Sequence, residues 1–235
     1  MLKGISDFRV NKAPFVDGVV RVIVVVLTLF SLASLGPVQG AVRVDSVDVC
    51  ETGCDYQNVQ DGVNASSTSG GGTIYLKFAN DHTESGIVVD RDVTIVGEGA
   101  SQTVVQGHSQ WDQAIDRVMF VTSGATVVLE DFTIRHGRST GTLARGGGVL
   151  NHGTLTMRGV AVTRNRAVGD AEDPGGRAAG GGIWNDGALT LIDSLVAHNE
   201  ARGGDAVSHG NGGEARGGGI SSGGDGSIHV LNTTV

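Results

Sequence analysis

After its first 40 residues the chain has almost no lysine, and Lys77 is the only one between residues 41 and 235. The first 40 residues hold four of the 17 bases and two of the 25 acids, which leaves 13 bases against 23 acids and a net charge near −10. Such a chain has no basic face for nucleic acid, and its charge has the wrong sign for anionic membrane surfaces. We therefore expect neither nucleic-acid binding nor membrane insertion of the mature domain.

The chain opens with a positively charged segment and then an apolar run. Residues 22–35 carry no charge, and Gly36 and Pro37 follow them. This order is typical of a secretory signal peptide, so we expect residues 1–40 to be removed on export. The alternative is a membrane anchor, but 14 residues are fewer than the about 20 that a membrane-spanning helix needs. Residues 41–235 are then secreted or held at the cell surface.

Only two cysteines are present, Cys50 and Cys54, and three residues separate them. In an exported protein a pair this close predicts a small disulfide loop. The alternatives are redox chemistry, which uses two intervening residues, and a zinc site, which requires a second pair of ligands. Neither pattern is written in the sequence.

One segment is written twice and then a third time more loosely. GGGVLNHGTLTMRGVAVTRN occupies residues 146–165, GGGIWNDGALTLIDSLVAHN occupies residues 180–199, and a third copy begins at Gly217. Aligned in this way, four segments share one template, and they begin at Thr126, Thr154, Ala188 and Ser227. We call these segments, with the residues that follow each of them, the first to fourth repeats.

Each repeat alternates polar and apolar residues, as Leu155 and Met157 illustrate, and this period of two predicts a strand. A polar column then predicts a turn, and a second short strand follows it at residues 132–134, 160–162, 194–196 and 233–235. No helical periodicity lies between the copies. Such a unit buries its apolar face only by stacking on its neighbour, with backbones about 4.8 Å apart.

The N-terminal half fits the same scheme. We expect strands at residues 73–76, 87–89, 93–96 and 103–105, and a short helix that carries Tyr56, Val59 and Val63. This helix and the cysteine loop would cap the first coil, whose edge is otherwise exposed. The predicted organisation is a cap at residues 41–70 and stacked coils at residues 71–235.

These motifs resemble a known superfamily. Cys50-x3-Cys54-Asp-Tyr, GTIYL at residues 72–76 and IVVDRDVTIVG at residues 87–97 resemble the opening of right-handed parallel β-helix proteins of the pectate-lyase-like superfamily. The GGG[IV]xN…GxLTL…VxxN pattern is similar to repeats of polymorphic outer-membrane proteins, with Val162 and Val196 in place of Phe.

The resemblance covers residues 48–235 and implies an all-β fold, a right-handed parallel β-helix with a short N-terminal capping helix. No polar or helical segment caps the last repeat, so we expect the chain to be truncated at its C-terminus and to lack coils of a longer protein.

The fold alone does not decide the function, because the superfamily includes lyases, hydrolases and esterases. The Asn-Thr-Asp, Asp-Asp, Gly-His-Gly and Arg-Ile-Lys motifs of its hydrolases are not written here. We therefore expect a scaffold rather than an enzyme, exported to the cell surface or secreted, that binds carbohydrate or protein through its edge loops. The alternative is a polysaccharide lyase that acts on acidic polysaccharide.

Five residues are the candidates for ligand binding. His136, Arg164 and His198 form one outward column with Arg135 beside it, which could hold an acidic sugar and, in the lyase alternative, supply Arg164 as the base. The other interpretation is a solvated face of stacked polar residues. Trp184 replaces Leu150 of the preceding repeat and could stack on a sugar ring, but a single tryptophan more often packs in the core.

Two aspartates are weak candidates for calcium, which is the one cofactor that we consider. Gly-Asp-Ala occurs around Asp170 and again around Asp205, one repeat apart. Two stacked carboxylates repel unless a cation or water lies between them. Calcium needs six to eight oxygen ligands, however, and an ordinary flexible loop is the interpretation that we prefer.

Overall fold

The structure is a computed structural model that describes residues 46–66, 71–77 and 81–235. The predicted signal peptide lies outside these residues. Within them the chain forms one short helix and many short strands, and every strand pairing is parallel. The predicted all-β class is confirmed.

In chain order the elements are β1 (Ser46–Val49), α1 (Val59–Ala65), β2 (Gly72–Leu76), β3 (His82–Thr83), β4 (Ile87–Val89), β5 (Val93–Val96), β6 (Val104–Gln106), β7 (Met119–Val121), β8 (Thr126–Glu130), β9 (Thr133–Arg135), β10 (Arg138–Gly141), β11 (Leu143–Arg145), β12 (Val149–Asn151), β13 (Thr154–Arg158), β14 (Ala161–Thr163), β15 (Arg166–Gly169), β16 (Arg177–Ala179), β17 (Ile183–Asn185), β18 (Ala188–Ile192), β19 (Leu195–Ala197), β20 (Glu200–Arg202), β21 (Ala215–Arg216), β22 (Ile220–Ser222) and β23 (Ser227–Leu231).

The strands form five open sheets. The largest has the order β1-β2-β5-β8-β13-β18-β23. Two five-stranded sheets have the orders β22-β17-β12-β7-β4 and β19-β14-β9-β6-β3, and two three-stranded sheets have the orders β10-β15-β20 and β11-β16-β21. Successive turns of the chain thus add strands to the sheets in the same order, and from β8 onward they also build the two three-stranded sheets. This arrangement is compatible with a solenoid.

The strand register matches the predicted repeat alignment. Thr154 lies opposite Thr126 on one side and Ala188 on the other, and Ala188 lies opposite Ser227. The second strand of each of the first three repeats begins one residue later than predicted, at β9, β14 and β19. In the fourth repeat the predicted second strand is present only as one isolated bridge between Leu195 and Thr234.

The alternation of each strand produces a continuous apolar core. Leu155, Met157, Leu189 and Leu191 are all buried in it. A second, smaller core is made of alanines, with Ala144, Ala167 and Ala178 between the two three-stranded sheets. We call the stretch between the second strand of a repeat and the next glycine triplet its return segment. The edge loops predicted from the sequence lie there, but residues 168–179 and 202–216 are partly strand, since they contain β16, β21 and the ends of β15 and β20.

At two positions of each triplet, glycine is present for a steric reason. The first glycine of each triplet has positive φ, near +60° at Gly146 and Gly180 and +55° at Gly217, a conformation that only glycine adopts readily. At the second position a Cβ would lie 2.2 Å from the Arg166 carbonyl oxygen for Gly147. The backbones therefore approach too closely there for any side chain.

Helix α1 packs on the first strand, as predicted for the cap. A Cβ on Gly62 would lie 2.8 Å from a Val49 methyl, so a glycine allows this contact. The Asn58 side chain accepts from the Asp61 N–H at 2.8 Å, and the Glu84 carboxylate accepts from the Val59 and Gln60 N–H groups at 2.7 and 3.1 Å. The predicted disulfide between Cys50 and Cys54 is confirmed.

Candidate functional site

The predicted column of His136, Arg164 and His198 lies at one corner of the repeats. All three residues have a left-handed backbone, with φ of 56°, 54° and 56°, which is uncommon for residues other than glycine. The His136 N–H donates to the Arg164 carbonyl at 3.1 Å, and the Arg164 N–H donates to the Ala197 carbonyl at 3.4 Å. The three residues therefore stack, but only Arg164 and His198 are exposed.

His136 is buried, and its environment disfavours protonation of its imidazole. Burial is the main cause that lowers its pKa below 6.5, and the positive charges of Arg135 and Arg164 lower the pKa further. Its Nδ1 lies 3.1 Å from the His108 carbonyl oxygen. This contact partly opposes the shift, because it favours a protonated nitrogen.

Arg135 is already engaged by other side chains. Its Nε donates to Gln106 Oε1 at 2.9 Å, and a terminal nitrogen forms an ion pair with Asp81 at 2.5 Å. Ile134, the residue before it on strand β9, is buried in the core. A ligand at the column would therefore meet Arg164 and His198 first, with Arg135 held to one side.

Trp184 is buried, with only 7% of its surface exposed. It lies opposite Leu150, as the repeat alignment predicts. The Arg145 guanidinium covers its ring at 4.2 Å from the centroid, a cation–π distance. A sugar ring would have to displace Arg145 to stack on this face, so the structure does not support stacking at Trp184 in the form predicted.

A small cavity of about 90 Å³ lies beside this pair. We call it the arginine cavity, and its charged lining consists of Arg145, Arg177, Arg216 and Glu214. Sequence reasoning missed it entirely. The sequence does contain one sign of this cavity, an arginine in the return segment of each of three successive repeats. Which of these arginines lie side by side cannot be predicted, however, because the return segments differ in length.

Asp170 and Asp205 both line a second cavity, of about 260 Å³, between neighbouring return segments. We call it the loop cavity, and Arg138 and Arg202 also line it. The two Gly-Asp-Ala triplets are offset by one residue, because Val168 pairs with Arg202 and Glu172 bridges to Ala206. Asp170 therefore lies level with Gly204 rather than with Asp205.

The charges around these two aspartates do not resemble a calcium site. Arg202 forms an ion pair with Asp205 at 3.3 Å, so one carboxylate already has a cationic partner. Among the described residues no three His, Cys, Asp or Glu side chains group closely enough to hold a metal ion. Calcium here stays a prediction without support from the geometry.

An ion-pair network across three repeats also escaped the sequence reasoning. Asp112 contacts Arg138 at 3.3 Å and Arg166 at 2.7 Å, and Arg166 contacts Glu200 at 3.3 Å. The Trp111 ring lies 5.1 Å from the Arg166 guanidinium. Opposite charges alternate along this column and pair at ion-pair distances, so we interpret the network as structural.

Buried asparagine pairs connect successive repeats. Asn151 donates to the Asn185 side chain at 2.7 Å, and Asn165 donates to Asn199 at 3.0 Å. The same amides also bond to backbone, for example Asn165 to the Ile134 carbonyl. They satisfy buried backbone groups at the corners, which is a structural role.

In the part of the chain that the structure describes, no helix has the length and apolar character needed to cross a membrane. No family model matches the sequence, and a search of curated proteins finds no match.

Proposed function

We propose that the chain is a right-handed parallel β-helix of the pectate-lyase-like type that serves as a secreted or cell-surface scaffold, binding carbohydrate or protein through its edge loops. The in-register parallel sheets and the repeat that builds them support the fold. The Cys50–Cys54 disulfide supports export, because disulfides persist in oxidising compartments.

The observation that carries the binding proposal is the loop cavity. It lies between return segments of neighbouring repeats, and strands β10, β15 and β20 hold these segments in place. Loops on a rigid frame are the usual position of binding residues. Exposed charges of both signs, Arg202 and Asp170 among them, line the cavity and offer hydrogen bonds to a polar ligand.

The proposal is tested by measuring binding of the purified protein to a panel of immobilised acidic and neutral polysaccharides. The double variant Arg202→Gln/Asp170→Asn keeps the size of both side chains and removes their charges. We expect it to weaken binding at least tenfold. Arg158→Gln is the matched control, since Arg158 is exposed on β13 and outside both cavities. Equal binding by all three proteins would exclude the loop cavity as the binding surface.

A second candidate function is that of a polysaccharide lyase, and the environment of Arg164 is the observation that favours it. Arg164 is exposed, and it forms no ion pair with any described carboxylate. His136, whose pKa burial lowers, lies next to it in the column. A lyase needs a base that removes a proton beside an acidic sugar's carboxylate. The resemblance implies an arginine or a lysine in that role, and Arg164 is the residue that would take it here.

The lyase candidate predicts new unsaturated chain ends when the protein acts on uronate polymers, followed by ultraviolet absorbance with calcium and with chelator. Activity should disappear in Arg164→Asn, because asparagine tolerates the left-handed backbone and lacks the guanidinium. His198→Asn is the control at the same corner. If the folded protein releases no product from any polymer, the scaffold proposal alone stands.

A further inference from the structure

The arginine cavity has an unusual composition for so acidic a chain. Three guanidinium groups and one carboxylate line it, those of Arg145, Arg177, Arg216 and Glu214. Glu214 is paired with Arg216 at 2.7 Å. In the described part of the chain neither Arg145 nor Arg177 forms an ion pair. The cavity therefore carries an uncompensated positive charge at the surface of a molecule whose net charge is negative.

The strand register explains why the cavity exists. Arg145 pairs with Ala179, and Ala179 pairs with Arg216, so the two arginines are two strands apart in one column. Neighbouring strands are about 4.8 Å apart, which places these backbones roughly 10 Å from each other. The methyl group of Ala179 is too short to fill the space between two long side chains.

Two buried donors at the cavity have no partner. The Nε of Arg145 and the Nε1 of Trp184 are both buried, and neither has a hydrogen-bond partner among the described residues. Buried N–H groups are almost always satisfied in folded proteins. Guanidinium nitrogens without a hydrogen-bond partner also occur on Arg138 and Arg166, so it is the excess positive charge of the cavity, beside this cation–π pair, that points to an anionic acceptor.

We propose that the arginine cavity binds the carboxylate of an acidic sugar, as a second site separate from the loop cavity, since the two cavities lie on opposite sides of the alanine core; the inference rests on the carbohydrate-binding function proposed above. The forked guanidinium matches a carboxylate with two parallel hydrogen bonds. A volume of about 90 Å³ is near that of three water molecules, about 30 Å³ each, which suits the charged group while the sugar ring stays outside.

The strand pairing favours a saccharide over an extended peptide. Peptides that bind to sheets add a strand at a free edge, where backbone groups are unpaired. Strand β16, under the cavity, is paired on both sides, with β11 and with β21. Recognition there must come from side chains alone, and Leu143, half exposed at the rim, offers an apolar surface to the C–H face of a sugar.

The test uses the fluorescence of Trp184. The chain has two tryptophans, so Trp111→Phe leaves Trp184 as the only one, and circular dichroism checks that this background folds. Titration with digalacturonate should change the Trp184 emission to saturation, whereas neutral galactobiose should not. Arg145→Gln and Arg177→Gln should each raise the dissociation constant at least tenfold. Arg158→Gln, outside the cavity, should leave it unchanged.

Four results would overturn the proposal. They are the absence of a saturable change with digalacturonate, unchanged affinity in both cavity variants, equal affinity for sulfate, and tighter binding of polyglutamate that Arg145→Gln abolishes. The last result would reassign the cavity to an acidic peptide. If one of these four results is found while the protein still binds polysaccharide, the scaffold proposal stands without this site. Digalacturonate binding that Arg145→Gln weakens, without any polymer binding, would support this site and refute the scaffold proposal.

Discussion

The two edges of the seven-stranded sheet differ although similar sequences form them. At one edge helix α1 packs over β1, and Val47 and Val49 are buried. At the other edge, on β23, Ile228 is 40% exposed and Val230 is 43% exposed. An apolar residue in this architecture is buried only when another element lies beyond its strand.

Strand β18 shows that the pattern within a strand is not the cause. Leu189 and Leu191 occupy the register positions of Ile228 and Val230, yet they are 1% and 0% exposed. The two strands share the same alternation of residues. The difference is that β18 has a neighbouring strand on both sides, so its side chains are enclosed from above and below.

The largest effect that the comparison predicts is a difference between two alanine variants at one register position. Leu189→Ala should lower the free energy of unfolding by about 2–5 kcal/mol, because it leaves a cavity in a closed core. Ile228→Ala should lower it by roughly 1 kcal/mol, since that side chain keeps much of its contact with water. Urea denaturation of both variants measures the difference. Similar losses would mean that β23 is covered in solution.

A smaller difference is expected at the second glycine of two triplets. In Gly181→Ala the new Cβ would lie 2.1 Å from the Glu200 carbonyl oxygen, and we expect a loss of about 1–3 kcal/mol from overpacking. In Gly218→Ala the nearest atom is the Asn199 carbonyl oxygen at 3.0 Å, so the loss should be smaller. Thermal unfolding of the matched pair tests this, and equal melting temperatures would contradict it.

The repeat made most of the strands predictable from sequence. Alternation at Leu155 and Met157 is a local pattern, and copying it at fixed spacing also fixes which residues lie opposite each other. The polar turn position after the first strand of each repeat was predictable for the same reason. Asp131 and Asp193 occupy this position, and both have positive φ. Patterns of this kind need no knowledge of distant contacts.

The arginine cavity was not predictable, because it depends on segments of unequal length. Arg145 and Arg216 are 71 residues apart, and the spacing between repeats grows from 28 to 34 to 39 residues. A shift of one residue in such a segment changes which side chains meet, as the offset of Asp170 and Asp205 shows. The contact that covers Trp184 could not be predicted for a related reason, since Arg145 comes from the preceding turn of the chain.

The smallest expected effect concerns two histidines at the same corner, His136 in the first repeat and His198 in the third. Burial lowers the pKa of His136 in the folded state, so between that pKa and the unfolded value near 6.5 the unfolded chain binds a proton that the folded chain does not. Stability is therefore present above pH 6.5 and is lost as the pH falls through this window, by at most about 1.4 kcal/mol per pH unit.

His136→Asn should flatten that part of the stability curve, and asparagine suits the left-handed backbone. Burial also lowers the pKa of His82. His82 contributes equally to the slope of stability against pH in every variant, so its contribution cancels when the slopes are compared. His198→Asn is the control, because His198 has the same φ but is exposed. Urea denaturation from pH 7.5 to 5 measures both slopes. If the two variants had the same slope as the unmodified protein, the enclosed first repeat would not control the titration of its histidine, and the contrast between enclosed and open repeats would be limited to apolar residues.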